Sequence, residues 1–146
     1  KNNAMALKWY EKAAEQGCAG SMINIGVLYK KGGHGVTKNL TTAVSWYRKA
    51  AEAGDEFGQR NLGHCYYNGQ GVTKNPRTAR SWFKKSADQD DAVSMRKLGG
   101  MMVKGEGGAK DINGGIKTWE KAAAKGDGGA QENLDKFNSW LDGIKF

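Results

Sequence analysis

Side chains able to do nucleophilic or metal chemistry are few in this sequence. Cys18 and Cys65 are the only cysteines, and His34 and His64 the only histidines. Two cysteines do not make a disulfide framework, and two histidines cannot build a four-ligand zinc site without unusual help. Gly33-His34-Gly35 and Gly69-Gln70-Gly71 resemble fragments of phosphate-cradling loops, in which glycines let backbone amides approach an anion. No strand precedes them and no lysine-serine pair follows, so they read as structural turns. Asp88, Asp90 and Asp91 form an acidic corner, but calcium asks for ~6–8 oxygens from a shaped loop, and a solvated turn is the simpler reading. Asn39-Leu40-Thr41 has the form of a glycosylation acceptor with its asparagine at a helix cap. No nucleophile, base and orienting group stand in a recognisable arrangement. The expectation is a non-catalytic chain without a cofactor.

The elements that position these residues repeat. Trp9-Tyr10-Glu11-Lys12-Ala13-Ala14 returns as Trp46-Tyr47-Arg48-Lys49-Ala50-Ala51, as Trp82-Phe83-Lys84-Lys85-Ser86-Ala87, and more weakly as Thr118-Trp119-Glu120-Lys121-Ala122-Ala123. Ile25-Gly26, Leu62-Gly63, Leu98-Gly99 and Leu134-Asp135 keep the same step, as do Gly33-His34-Gly35-Val36, Gly69-Gln70-Gly71-Val72 and Gly105-Glu106-Gly107-Gly108. The period is about 36 residues, with one extra residue between Gly26 and Val36, where a loop absorbs it at little cost. Twenty-two glycines against one proline in 146 residues are thus explained by turns that recur.

Apolar spacing within each unit is helical. Ala43, Trp46, Tyr47 and Ala50 stand at i, i+3, i+4 and i+7, and Leu62, Cys65 and Tyr66 follow the same rule in the next segment. Asn2, Asn39, Asn75 and Asp111 are good N-caps, and Pro76 occupies a first helical position, where its missing N–H costs nothing. Gly17, Gly54 and Gly126 close helices where a left-handed residue is expected, with Asp90 in the same place once. Helices are therefore predicted near 4–16, 19–31, 40–53, 56–68, 76–89, 92–104, 112–125 and 129–142. One helix pair has too little apolar surface to stand alone, so stacking must create the core, with Trp9, Trp46 and Trp82 expected to fill the gaps between pairs.

In this register Cys65 aligns with Leu28, Met101 and Phe137 and is expected as a buried small hydrophobe. Cys18 aligns with Asp55, Asp91 and Asp127 at a helix start, where it is exposed and its thiol pKa can fall. The two lie roughly 15 Å apart along stacked helices, at ~1.5 Å rise per residue, too far for a disulfide.

A unit reading Leu-Gly-x-x-Tyr, Gly-x-Gly-Val, Asn/Asp, then Ala-x-x-Trp-Tyr-x-Lys-Ala-Ala-x-x-Gly resembles the Sel-one-like repeat, a relative of the tetratricopeptide repeat. The copy at 55–90 matches best, while the copy at 91–126 has Met102 for the tyrosine and Gly108 for the valine. The resemblance implies an all-α fold, a right-handed α/α solenoid of about four 36-residue helix pairs that binds proteins or peptides. The expected organisation is a single array over 1–146, with units 19–54, 55–90 and 91–126, a partial unit 1–18 and a capping helix 127–146. Lys1 falls inside a loop before a second helix, so the sequence reads as the later part of a longer array. Asp135 and Asn138 replace the repeated glycine and tyrosine before Phe146, as in a polar terminal cap.

By the tetratricopeptide-like arrangement, four positions of each first helix face a concave groove. They are Gly20, Ile23, Val27 and Lys30; Phe57, Arg60, His64 and Tyr67; Val93, Arg96, Gly100 and Val103; Gly129, Glu132, Lys136 and Ser139. Four are basic and one acidic. Ile23, Val27, Lys30, Phe57, Arg60, His64, Tyr67, Val93, Arg96, Val103 and Lys136 are the candidate binding residues. Arg60 and Arg96, on adjacent helices ~8–10 Å apart, suit a protein or peptide partner carrying carboxylates and apolar anchors. The net charge of +8 also raises nucleic acid as a partner. Against it, Lys38, Lys74 and Lys110 recur in loops and Lys12, Lys49, Lys85 and Lys121 on second helices, so the excess is spread round the solenoid. No apolar run reaches the ~18 residues of a membrane span.

Overall fold

The computed structural model describes residues 2–144; Lys1 and Phe146, which the reading of the two chain ends used, lie outside them. Its helices are α1 (Asn3–Glu15), α2 (Ala19–Lys31), α3 (Leu40–Glu52), α4 (Glu56–Asn68), α5 (Pro76–Asp88), α6 (Ala92–Lys104), α7 (Ile112–Ala124) and α8 (Gly128–Ile144). No strand occurs among the described residues beyond one isolated bridge, Gly33 to Val36, in the α2–α3 loop. That loop, 32–39, is one residue longer than 69–75 and 105–111, which is where the irregular first period is absorbed.

Helix ends follow from local chemistry. The side chain of Asn39 accepts a hydrogen bond from the Thr42 N–H at 3.0 Å, Asn75 from Thr78 at 3.1 Å and Asp111 from Gly114 at 2.8 Å, each satisfying a donor that a helix start leaves open. Asp55 and Asp91 cap α4 and α6 in the same way. The turn that joins the helices across each pair needs a left-handed residue, supplied by Gly54 at φ +91° and, against the usual Cβ penalty, by Asp90 at φ +71°. α2 alone starts on a cysteine, and there the Ser21 hydroxyl donates to Cys18 Sγ at 3.2 Å while no side chain caps the backbone.

Each helix packs on its neighbours in the chain, so the array is an α/α solenoid, and its buried apolar residues gather in an earlier and a later cluster with Tyr66 packed against both. The core corrects one expectation. Trp9 is 67% exposed, and Trp46 and Trp82 are only half-buried. Lysines cover their outer faces, Lys49 at 4.1 Å from the Trp46 ring centroid and Lys85 at 4.4 Å from that of Trp82. The gap-filler is the residue after each tryptophan: Tyr47 and Phe83 are fully buried, and in the last unit Trp119 takes the same place.

The reason lies in the Leu-Gly dipeptide of the facing helix. A Cβ on Gly26 would fall 2.5 Å from Tyr47, one on Gly63 2.9 Å from Phe83, and one on Gly99 2.6 Å from Trp119. Each glycine opens the space that one ring occupies. Burial in this slot pushes the Tyr47 hydroxyl pKa up to about 12. Cys65 is buried in the cluster of Ala43, Val44, Tyr47, Ala51 and Leu62, as its alignment with apolar positions predicts.

Candidate functional site

Charge gathers on the first-helix face, and His64 registers it. This ring is half-buried and meets Phe83 edge-on at 5.0 Å between centroids. Its pKa is lowered to about 4, first by burial and then by the positive charges of Lys97, Arg60, Lys30 and Arg96. Cations from α2, α4 and α6 therefore all bias this ring against taking up a proton.

The two arginines already have carboxylates. Arg60 Nη1 donates to Asp91 Oδ1 at 2.8 Å, and Arg96 Nε lies 2.9 Å from Asp127 Oδ1 without its N–H being directed at that oxygen. Asp91 is the N-cap of α6, and Asp127 accepts from the Ala130 N–H at the start of α8. Each pair thus ties one unit to the cap of the next, a staple recurring at the repeat step. Asp91 is 7% exposed in its side chain, so the corner of Asp88, Asp90 and Asp91 is not uniformly solvated. Asp88 pairs with Lys84 and Asp90 with Lys125. Among the described residues no group of three or more His, Cys, Asp and Glu side chains is placed to hold a metal ion.

A hollow of about 240 Å³ opens beside Arg96, lined by Tyr67, Lys97, Gly100, Lys104 and Asn133 among others. Tyr67 donates from its hydroxyl to Glu106 Oε2 at 3.0 Å, and Lys97 Nζ stands 5.8 Å from its ring centroid. Burial, then the Glu106 carboxylate, raise the Tyr67 pKa.

Of the other candidate residues, Phe57 is exposed with the Arg60 guanidinium 5.0 Å from its ring centroid, and Lys30 is exposed. Lys136 is paired with Glu132 at 2.6 Å on α8. Ile23 and Val27 pack against the Tyr47–Leu62 cluster, and Val103 against the later core beside Gly115. Val93 is half-buried. Lys97, Lys104 and Asn133 are lining residues that the reading of the sequence missed. Lys97 carried a signal: the positions before the repeated leucine slot are Asn24, Asn61 and Asn133 in the other units, and only here lysine.

A stack of helix pairs, stapled from one unit to the next and varying on its lining face, defines an α/α repeat solenoid. The chain belongs to the Sel1 repeat family, whose repeat matches residues 1–18, 19–55, 57–91 and 92–127. Proteins of this family are generally non-catalytic scaffolds for protein–protein interaction. Among solved structures the chain is similar to c5321, a protective antigen present in uropathogenic Escherichia coli strains displaying an SLR fold, at 36% identity and a TM-score of 0.86 over 91% of this chain and 28% of that one. A Sel1 repeat protein from Oxalobacter formigenes is 39% identical with a TM-score of 0.85 over 92% of this chain and 55% of that one. Helicobacter pylori cysteine rich protein B is 26% identical with a TM-score of 0.70, covering 90% of this chain and 93% of that one. The chain thus spans about a quarter and about half of the first two. No curated protein sequence matches it. No helix among the described residues is long and apolar enough to cross a membrane.

Proposed function

We propose that the chain is a non-catalytic scaffold whose first-helix face binds an acidic segment of a partner protein. The supporting observation is that Lys30, Arg60, Arg96 and Lys97 together bias His64, where Asp91 and Asp127 face the arginines and, among the described residues, no carboxylate pairs with Lys30 or Lys97. Lys97 at the rim of the hollow and the exposed Lys30 steer an acidic partner and favour its carboxylates. Phe57 and Tyr67 supply aromatic contact surface next to them, the residue types that anchor interfaces. The arginines act mainly between units, so the lysines carry the recognition.

The test is fluorescence anisotropy with a labelled glutamate-rich peptide, alongside capture from lysate of the source organism with and without nuclease treatment, comparing the chain with Lys30→Glu/Lys97→Glu. The double variant should keep its helicity, lose peptide affinity at least ~tenfold, and lose the captured protein. Equal binding by both would overturn the reading. Recovery of nuclease-sensitive material alone would replace the protein partner with nucleic acid.

A further inference from the structure

The tryptophan slot of the repeat is filled in one unit and open in the next. Trp82 on α5 packs against the cluster containing Val44 and Leu62, with Tyr66 packed on that same cluster. Arg48 donates to the Tyr66 hydroxyl at 2.9 Å and lies over its ring. One step along the array, Thr118 stands where Trp82 was, Arg80 where Val44 was, Leu98 for Leu62, Met102 for Tyr66 and Lys84 for Arg48. These residues line an open cleft of about 490 Å³.

The helices do not close over the missing indole, because their spacing is set elsewhere. The loop glycine Gly107 sits directly on the Pro76 carbonyl, as Gly71 does on that of Leu40, leaving no room for a Cβ at either. The frame is therefore the same whether the slot holds a tryptophan or a threonine. Thr118 turns its hydroxyl back to the Gly114 carbonyl at 2.7 Å and touches Met102, so Leu98 and the Met102 thioether form an apolar floor with nothing above it. The rim is cationic. Arg80 is held by the Glu106 and Ala109 carbonyls, Lys84 pairs with Asp88, and Arg77 is exposed without a partner among the described residues. Lys121 stands three residues beyond Thr118, as Lys49 and Lys85 stand beyond the tryptophans they cover, and among the described residues it lies over no ring.

We propose that this cleft is a second docking site, taking a tryptophan side chain from an acidic segment of a partner protein. The occupant's size is set by the indole that fills the corresponding slot one unit earlier, and its charge by Arg77, Arg80 and Lys84 against the single carboxylate of Asp88. Methionine suits this role because its thioether adapts to a ring and contacts it favourably. An incoming indole would regain the lysine cover that Trp46 and Trp82 have. The site lies away from the His64 face and does not depend on it.

The experiment uses the full chain with methyl-labelled methionine and three capped tripeptides: tryptophan between two acidic residues, tryptophan between two lysines, and alanine between two acidic residues. The acidic tryptophan peptide should shift the Met102 methyl resonance by ring current, with affinity at least ~tenfold above the other two. Thr118→Trp fills the slot from within, so it should raise the melting temperature and abolish the shift. Arg77→Glu/Lys84→Glu, on the exposed rim, should reverse the preference between the charged tryptophan peptides, while Lys97→Glu should leave binding unchanged. Absence of a Met102 shift at millimolar peptide, equal affinity for the lysine-flanked peptide, or binding retained by a folded Thr118→Trp would each overturn the proposal.

Discussion

Replacing Phe83 by alanine tests the packing logic of the whole array, with Trp82→Ala as its internal control. Phe83 is 0% exposed and sits under Gly63, whose missing Cβ makes its space. Removing the ring loses its transfer free energy and leaves a cavity that the stapled helices cannot collapse, a cost of ~3–5 kcal/mol. Trp82 is the larger side chain, but it is half-buried with its outer face under Lys85 at 4.4 Å. Its loss should cost about 2 kcal/mol, from part of its apolar area and one cation–π contact. Urea unfolding followed by far-UV circular dichroism measures both midpoints. Phe83→Ala should also release His64, whose edge rests on that ring, and its pKa should rise from about 4 toward the ordinary 6.5, visible in an NMR titration. A Trp82→Ala cost equal to or above that of Phe83→Ala would refute the assignment of the core slot.

His64 also predicts a pH dependence. Its folded pKa is depressed, so the unfolded chain takes up the proton first and stability falls as pH drops from 6.5 to about 4. The loss is at most about 3 kcal/mol, and about 1–2 after screening at this half-buried site. His64→Gln should flatten the stability profile between pH 7 and 5, and an unchanged slope would contradict the burial argument. Arg60→Ala leaves Asp91 without its cation while its side chain is 7% exposed, so thermal melts should show a loss of ~1–3 kcal/mol; a change within ~0.5 kcal/mol would mean the staple contributes nothing. Cys18 should react with a thiol reagent well before Cys65. The Ser21 hydroxyl, then backbone N–H groups, lower its pKa, whereas burial raises that of Cys65. Ser21→Ala should slow Cys18 labelling, and equal rates at the two cysteines would reject this account.

Helix positions were legible because their ends are written in single residues. Asn39, Asn75 and Asp111 cap by their own side chains, and the left-handed turn residues Gly17, Gly54 and Gly126 recur in register. The core was less legible. In Trp-Tyr and Trp-Phe both residues fall within the apolar stripe, and a helix period of 3.6 cannot decide which of two adjacent rings turns inward. A partner some twenty residues earlier decides it, the glycine of Leu-Gly, and Thr118-Trp119 was the clue: where only one aromatic remains, it occupies the second place. The arginine staples were hidden for a similar reason. Arg60 and Asp91 are 31 residues apart, and only the recurrence of the same interval between Arg96 and Asp127 links them in the sequence.

The division between arginine and lysine on the first-helix face follows from their chemistry. A guanidinium is planar and weakly hydrated, so it can stay half-buried, stack on a ring as Arg60 does on Phe57, and still bind a carboxylate of the next unit. An ammonium is a compact, strongly hydrated charge on a flexible stem, and among the described residues Lys30 and Lys97 have no carboxylate partner. Charge reversal at Arg60 or Arg96 would therefore disturb stacking before recognition, setting two carboxylates together at a helix cap. Reversal at Lys97 leaves both staples intact and changes the potential beside the hollow. Stability should thus separate from binding along this chemical line: the arginines move the unfolding midpoint, and the lysines move the affinity for an acidic partner and its salt dependence.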